Sequence, residues 1–110
     1  MEPRRRAAAA IGKVDPGKLD SAKRKAFEDS LRVAEQKFLH SDGLPRRPWF
    51  RHMLHAPGFY TGYGVKTLPG VREAIEQRLW DEADAQIRFT ANAITAYAEW
   101  LESAAASAGN

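Results

Sequence analysis

The chain has 110 residues, of which 44% are hydrophobic and 28% charged, and its formal net charge is +3. This length allows one domain, and the composition is that of a folded protein, which excludes a wholly disordered chain. The absence of cysteine excludes disulfides and thiolate metal sites, and it gives no indication of the redox compartment. No apolar run reaches the roughly 18 residues that a membrane-spanning helix needs, so we expect no membrane segment.

The positive charge is concentrated near the N-terminus. Without Arg4, Arg5 and Arg6, the remaining 14 basic residues balance the 14 acidic ones. A nucleic-acid-binding domain normally carries a basic face on its folded body, so we expect no nucleic-acid partner. The alternative is a small basic helical domain that binds nucleic acid through residues 4–6 and 23–25, or another protein-interaction domain. We interpret residues 1–14 as a frayed helix remnant or a disordered tail.

The first strong helical pattern begins near Pro16 and ends near Leu39. Asp15 is a suitable N-cap, and Pro16 suits the first helical position. Apolar residues recur three or four positions apart and include Phe27 and Leu31, which places them on one face of a helix.

Residues 40–68 show no sustained period and are interrupted by prolines and glycines. The segment is too aromatic for a flexible linker, since it contains Trp49, Phe50, Phe59, Tyr60 and Tyr63. We therefore predict a long ordered loop that packs against other parts of the protein.

Two histidines in this loop have a spacing that can chelate a metal on a helix. His52 and His55 are three residues apart, but they lie between prolines and have no carboxylate close in the sequence. We interpret them as hydrogen-bonded loop histidines and expect no metal site here.

Two further helices are predicted over about residues 69–79 and 82–105, with a break or kink near Trp80. The alternative is one continuous helix, because the apolar spacing continues through the junction. A cluster of acidic residues after Trp80 suits an exposed first helical turn better than acid catalysis; it comprises Asp81, Glu82 and Asp84. We predict that the helical domain covers residues 15–106 and that a short tail follows at 107–110.

The last helix is apolar on two faces and therefore needs two packing partners. The first and second helices can cover one face, and the residues alone leave the other face to another chain or another domain; of these we expect a second copy of the chain. The alternative is that the aromatic loop folds back over that face. The predicted homodimer interface comprises Phe27, Leu31, Phe89, Ile94, Tyr97, Trp100 and Leu101.

No residue pattern indicates catalysis. No serine lies in a nucleophile-elbow pattern, and no glycine-rich loop precedes a helix in a phosphate-binding arrangement. The residues alone therefore indicate a binding or structural module, with no catalytic residues, metal ligands or cofactor of its own.

Four short motifs resemble the transferrin receptor-like dimerisation domain of the glutamate carboxypeptidase II family and its bacterial relatives. The first is Gly43-Leu44-Pro45-Arg46-Arg47-Pro48-Trp49-Phe50-Arg51-His52, which is similar to the family's GLP-x-RP-aromatic-aromatic-RH stretch. The others are Ala56-Pro57, Tyr63 followed by Leu68-Pro69-Gly70, and Trp80-Asp81-Glu82 with Gln86-Ile87. The resemblance covers about residues 15–105, and residues 4–11 correspond to a remnant of the family's first helix.

The resemblance implies an all-α helical bundle with one long ordered loop, located C-terminally in a longer chain, that pairs two subunits. In the family, the zinc ligands and the catalytic glutamate belong to a preceding peptidase domain, which this chain does not contain. We therefore expect that this domain alone is not an enzyme and that its partners are a second copy and the peptidase domain.

The resemblance also implies that the loop contributes to the substrate pocket of the full enzyme. A lysine and a tyrosine of the family recognise the carboxylates of a C-terminal glutamate there. Tyr63 stands at the tyrosine position, but Gly62 stands at the lysine position and cannot pair with a carboxylate. Lys66 is the candidate replacement, and glutamate specificity stays open.

Overall fold

The computed structural model describes residues 2–59 and 64–109. The helices are α1 (Pro3–Gly12), α2 (Ser21–Val33), α3 (Pro69–Glu76) and α4 (Trp80–Gly109), and the strands are β1 (His55–Pro57) and β2 (Val65–Thr67). Short 3-10 helices cover Pro16–Lys18 and Ala34–Phe38. The predicted all-α class is confirmed, with the addition of one small sheet. Within the described part, no helix has both the length and the apolar character needed to cross a membrane.

The chain divides into two compact units. The first contains residues 1–37 and 94–110, and the second contains residues 38–93. Helix α4 therefore contributes its C-terminal half to the first unit and its N-terminal half to the second.

Helix α1 occupies most of the segment that the sequence assigned to a frayed remnant or a disordered tail. Its N-cap is Glu2, whose carboxylate accepts a hydrogen bond from the backbone N–H of Arg5 at 3.0 Å. The pKa of Glu2 lies below its ordinary value because the Arg4 side chain and then the Arg5 N–H bond the ionised carboxylate. Ala7 is buried. The burial of this alanine shows that α1 packs as part of the first unit.

Helix α2 begins five residues later than predicted. Asp15 caps only the 3-10 turn, through the N–H of Gly17 at 3.0 Å, and Leu19 then adopts an extended conformation. Asp20 starts the α-helix by accepting the N–H of Lys23 at 2.8 Å. The predicted continuous helix over 16–39 is therefore wrong, because a second capping residue follows the first.

The core of the first unit joins three helical segments. Phe27 of α2 packs with Ala104 and Ala108 of α4, and the side chains of Ile11, Val14 and Leu19 pack against this cluster. The tail predicted over 107–110 is helical as far as Gly109. Helix α4 continues to this residue because its last turns carry core residues such as Ala108, which is buried.

The described part of the long loop, residues 40–59 and 64–68, is ordered, as predicted. Its backbone is held by hydrogen bonds such as Leu44 N–H to Phe50 O at 2.8 Å and Met53 N–H to Phe38 O at 2.9 Å. The side chains of Leu44 and Met53 are fully buried. Gly43 has φ 72°, and a Cβ there would lie 2.3 Å from the Pro48 carbonyl oxygen, so only glycine fits this turn.

The second half of the loop forms a β-hairpin that the sequence did not predict. Strands β1 and β2 are antiparallel, with Ala56 opposite Lys66. The N–H of Gly58 donates to the carbonyl of Gly64 at 3.3 Å, which closes the hairpin beyond the paired strands. Helix α3 contacts β1.

The predicted break near Trp80 is confirmed. The N–H of Leu79 donates to Ala74 O at 2.8 Å and that of Arg78 to Ile75 O at 3.0 Å, which is the bonding of a Schellman motif. Arg78 occupies the left-handed position with φ 59°, where glycine is usual. Helix α4 then begins at Trp80 with acidic residues in its first turn.

Candidate functional site

Two ion pairs connect the arginine-rich motif of the loop to helices α3 and α4 within the second unit. The first is a two-pronged pair between Arg46 and Glu82, with nitrogen–oxygen distances of 3.1 and 3.2 Å. The parallel geometry matches the guanidinium fork to the carboxylate. Glu82, interpreted from the sequence as an exposed first-turn residue, is thus partly buried and fixes the loop to α4.

The second ion pair is buried. Arg47 and Glu73 form a hydrogen-bonded pair in which both side chains are almost inaccessible to solvent. The other carboxylate oxygen of Glu73 accepts the backbone N–H of Phe59 at 2.8 Å. The Arg47 guanidinium also lies 5.6 Å from the centre of the Phe59 ring. Glu73 therefore joins the first motif of the loop to the start of the hairpin connection.

Sequence reasoning assigned no role to Glu73. Glu73 stands among the small and apolar residues of a short helix, and the loop motif contains a second arginine, Arg47. Together, these two features could have indicated a buried ion pair. Nothing in the local pattern pairs the two residues, because they are 26 positions apart.

Two of the three predicted pocket residues, Gly62 and Tyr63, lie outside the described residues. Lys66, the third, lies on β2, and its ammonium group is 2.9 Å from a carboxylate oxygen of Glu76. The lysine that the sequence suggested as a substrate partner thus has an intramolecular partner.

The motifs around Gly70 and Gln86 meet in the structure. A Cβ on Gly70 would lie 2.2 Å from the side-chain oxygen of Gln86, which is itself buried. The close approach of α3 to α4 explains why glycine follows Pro69. Both motifs belong to the family resemblance, but their contact was not predicted from the sequence.

The loop histidines are hydrogen-bonded and stacked. His52 Nδ1 accepts the N–H of Leu54 at 3.2 Å, and its ring lies 4.0 Å from that of His55. The interpretation of His52 as a hydrogen-bonded loop histidine is confirmed.

Three of the predicted interface residues have partners within the chain. Phe27 is 6% exposed and belongs to the core of the first unit, so its side chain is not available to a second copy. The ring of Phe89 stacks on His40 at 4.3 Å, which agrees with the alternative that the loop covers this residue. Trp100 donates its indole N–H to the Ser30 carbonyl at 2.7 Å, and the Lys37 ammonium lies 4.5 Å from the centre of its ring system.

The other four predicted interface residues are exposed or partly buried. Leu31 is exposed. The rest are partly buried positions of α4, namely Ile94, Tyr97 and Leu101. Phe27 is thus a core residue, and the other six predicted interface residues are exposed or partly buried.

The aromatic residues of the loop are not all packed. Trp49 is 70% exposed, so the expectation that these side chains lie against other parts of the protein is wrong for this residue. Its neighbour Phe50 is partly buried.

The basic tail is partly neutralised within the chain. Arg4 pairs with Glu2 at 3.0 Å, and Arg6 pairs with Glu102 of α4 at 3.4 Å. These pairs reduce the charge that the segment offers to a nucleic acid.

The sequence is similar to a known family and to several curated proteins. The family described as the transferrin receptor-like dimerisation domain matches residues 6–102. A probable glutamate carboxypeptidase of Arthroderma benhamiae is 38% identical over 84 residues, which cover 76% of this chain and 12% of that protein. The probable glutamate carboxypeptidase LAMP1 of Arabidopsis thaliana is 35% identical over 75 residues, 62% of this chain and 11% of that protein.

A third relative, the probable glutamate carboxypeptidase VP8 of Zea mays, is 34% identical over 55 residues, 50% of this chain and 8% of its own length. The chain thus spans no more than 12% of the length of these curated relatives. The family match covers most of the chain and includes the loop, the hairpin and most of the helical segments described above. The chain belongs to the transferrin receptor-like dimerisation domain family found in glutamate carboxypeptidase-like proteins.

Proposed function

We propose that this chain is the dimerisation module of a zinc-dependent glutamate carboxypeptidase-like exopeptidase and that it pairs two subunits. The observation that carries the proposal is the family match over residues 6–102. The relatives' names and the small share of their length that the chain covers support a role as one part of a longer enzyme. In this proposal the peptidase domain supplies the zinc and the catalytic groups, and this domain supplies neither.

The predicted pairing surface keeps six of its seven residues. Phe27 is omitted because its burial is explained within one chain. The six are Leu31, Phe89, Ile94, Tyr97, Trp100 and Leu101. Their exposed or partly buried positions support the proposal, since a partner covering them would remove apolar surface from water.

We also propose that the hairpin connection contributes to the substrate pocket of the full enzyme. Glu73 supports this role because it fixes the backbone of Phe59, the residue directly before the segment that contains Gly62 and Tyr63. In the pocket, the Tyr63 hydroxyl donates a hydrogen bond to a substrate carboxylate, and the glycine beside it leaves room without adding charge.

Lys66 is proposed as a second carboxylate partner in the pocket. Its present partner Glu76 is 52% exposed and Lys66 is 19% exposed. A substrate carboxylate that replaces Glu76 keeps the ammonium group paired, so the exchange leaves no buried charge without a partner.

The pairing proposal is tested by size-exclusion chromatography with light scattering at tens of micromolar protein. The expected mass is twice the 12.3 kDa of one chain. A mass of one chain across this concentration range would refute the proposal.

The pocket proposal is tested in the full-length enzyme with Tyr63→Phe, which removes only the hydroxyl. A lost hydrogen bond to a charged group predicts a fall in kcat/KM of roughly tenfold or more. Val65→Ala, on the exposed part of the same hairpin, is the control and should leave kcat/KM unchanged. An unchanged value for Tyr63→Phe would remove the loop from the pocket without affecting the pairing proposal.

A further inference from the structure

Four large apolar side chains are exposed around the reversal between α3 and α4. We call them the turn patch: Ile75, Leu79, Trp80 and Ile87, which are 46%, 39%, 59% and 48% exposed. Single exposed apolar residues are normal on a protein surface, but a continuous group of them indicates an interaction site.

The backbone at the reversal brings these residues together. The N–H of Arg78 bonds the carbonyl of Ile75, and the N–H of Ala83 bonds the carbonyl of Leu79 at 2.9 Å, so α4 starts directly after the turn. Trp80 and Ile87 are seven residues apart, which places them on the same side of α4. The turn patch therefore continues from the end of α3 along the first two turns of α4.

The adjoining side of α4 already packs within the chain. Its buried positions in the second unit are Ala83, Gln86, Thr90 and Ala93. A surface helix with one buried side normally carries polar residues on the other, and Asp81, Asp84 and Arg88 lie there. Trp80 and Ile87 lie about a quarter of a turn from the buried side and extend its apolar surface into water.

The charges beside the turn patch are balanced. Arg78, Asp81, Asp84 and Arg88 are all exposed, and none of them forms an ion pair with another described residue. Two acidic and two basic groups cancel, so the surface selects neither a strongly acidic nor a strongly basic partner. A surface that carries both signs is complementary to a copy of itself across a two-fold axis.

The order of the charges along α4 also fits a second copy. Asp81 and Arg88 are seven residues apart and therefore lie on one side of the helix. When two such helices run antiparallel about a two-fold axis between positions 84 and 85, Asp81 of each copy faces Arg88 of the other. Both pairs form at once, with Trp80 and Ile87 beside them.

We infer that the turn patch is a docking surface for a second copy of this chain, with the N-terminal halves of two α4 helices antiparallel. The inference rests on the proposed pairing function and places its apolar centre on residues outside the predicted interface. Trp80 is the natural anchor, because exposed tryptophan at the centre of an interface contributes most to affinity.

The first test measures the dimer dissociation constant by sedimentation equilibrium for Ile87→Glu and for the control Val65→Glu. Val65 is 76% exposed and lies on β2, outside the turn patch. Ile87→Glu should raise the dissociation constant at least about tenfold, since it places a charge in an apolar contact. Val65→Glu should leave it within about twofold. Equal effects of the two variants, or no effect of Ile87→Glu on an existing dimer, would overturn the inference.

The second test uses charge reversal and does not depend on the first variant remaining folded. Asp81→Arg and Arg88→Asp should each weaken self-association, because each places like charges opposite each other in both symmetric contacts. An equimolar mixture of the two variants should form a heterodimer with nearly the original affinity. Failure of the mixture to associate would overturn the antiparallel arrangement.

The outcomes separate the two proposals. A wild-type chain that is monomeric at tens of micromolar refutes the pairing function and the turn patch together. A wild-type dimer that is insensitive to every turn-patch variant refutes the turn patch alone and leaves the pairing function standing. Attachment of the turn patch to the rest of a longer enzyme would give this second result in the isolated chain.

Discussion

Replacing Glu73 by glutamine should be one of the most damaging conservative changes in this domain. The matched control is Glu76→Gln, the same change three residues later in α3. Each glutamate forms one ion pair. The side chains of Arg47 and Glu73 are 4% and 5% exposed, and those of Lys66 and Glu76 are 19% and 52% exposed. The comparison therefore contrasts a fully buried ion pair with one whose carboxylate is open to water.

The expected free-energy losses differ severalfold. Removing a carboxylate that is open to water costs about 0–1 kcal/mol, whereas removing one partner of a fully buried pair costs about 3–5 kcal/mol because the other charge stays buried. Glutamine can still accept the Phe59 N–H, so the loss reports mainly on the charge. Among residues 2–59 and 64–109, the buried Nε atom of Arg47 has no hydrogen-bond partner, so Glu73 is the main compensation of the guanidinium charge there.

The assay is urea unfolding followed by circular dichroism, with all variants at one low concentration because self-association changes apparent stability. A domain of this size has roughly 5–15 kcal/mol of stability, so Glu73→Gln should fold but unfold at clearly lower urea. The double variant Arg47→Met with Glu73→Gln should recover part of the loss, since no buried charge remains. A Glu73→Gln variant within about 1 kcal/mol of Glu76→Gln would refute this reasoning.

The same urea assay tests three other contacts. Gly70→Ala should lower the free energy of unfolding by about 1–3 kcal/mol because its Cβ meets the buried Gln86 side chain. The control Gly12→Ala has open space at the end of α1 and should not destabilise the protein. Equal free energies of unfolding for the two variants would contradict the close contact between α3 and α4. Gly43→Ala should cost more than Gly70→Ala, because its neighbour is backbone and its φ is positive; a smaller loss would argue against this turn. Trp100→Phe should cost about 0.5–1.5 kcal/mol through the lost indole hydrogen bond to α2, and a variant of unchanged stability would show that this bond contributes nothing.

The junction between α3 and α4 shows how far local patterns carry a prediction. The acidic residues after Trp80 favoured a helix start, and the structure confirms the break. The residue that ends α3 could not be identified, because Arg78 occupies a left-handed position that sequence rules assign to glycine. The bonds from the turn to Ala74 and Ile75, together with burial of Ala74, hold this arginine in a conformation that it would not adopt alone.

The interface prediction failed for Phe27 for a related reason. Helical periodicity shows that Phe27 lies on an apolar face, but it does not show which surface covers that face. The last turns of α4 provide the cover through Ala104 and Ala108, so the ring belongs to the core. A count of apolar faces cannot separate core from interface when the partner segment is remote in sequence.

The helical class, the two-faced character of α4, the ordered loop and the family resemblance could all be predicted, since each depends on residues a few positions apart. The contacts of Arg47 with Glu73 and of Arg46 with Glu82, and the exposure of Trp80 and Ile87, became visible only in the folded chain. The two ion pairs join residues 26 and 36 positions apart, and burial depends on everything that packs around a side chain. Helix propensity and hydrophobic periodicity describe one secondary-structure element at a time, so they cannot predict contacts between residues that are distant in the sequence.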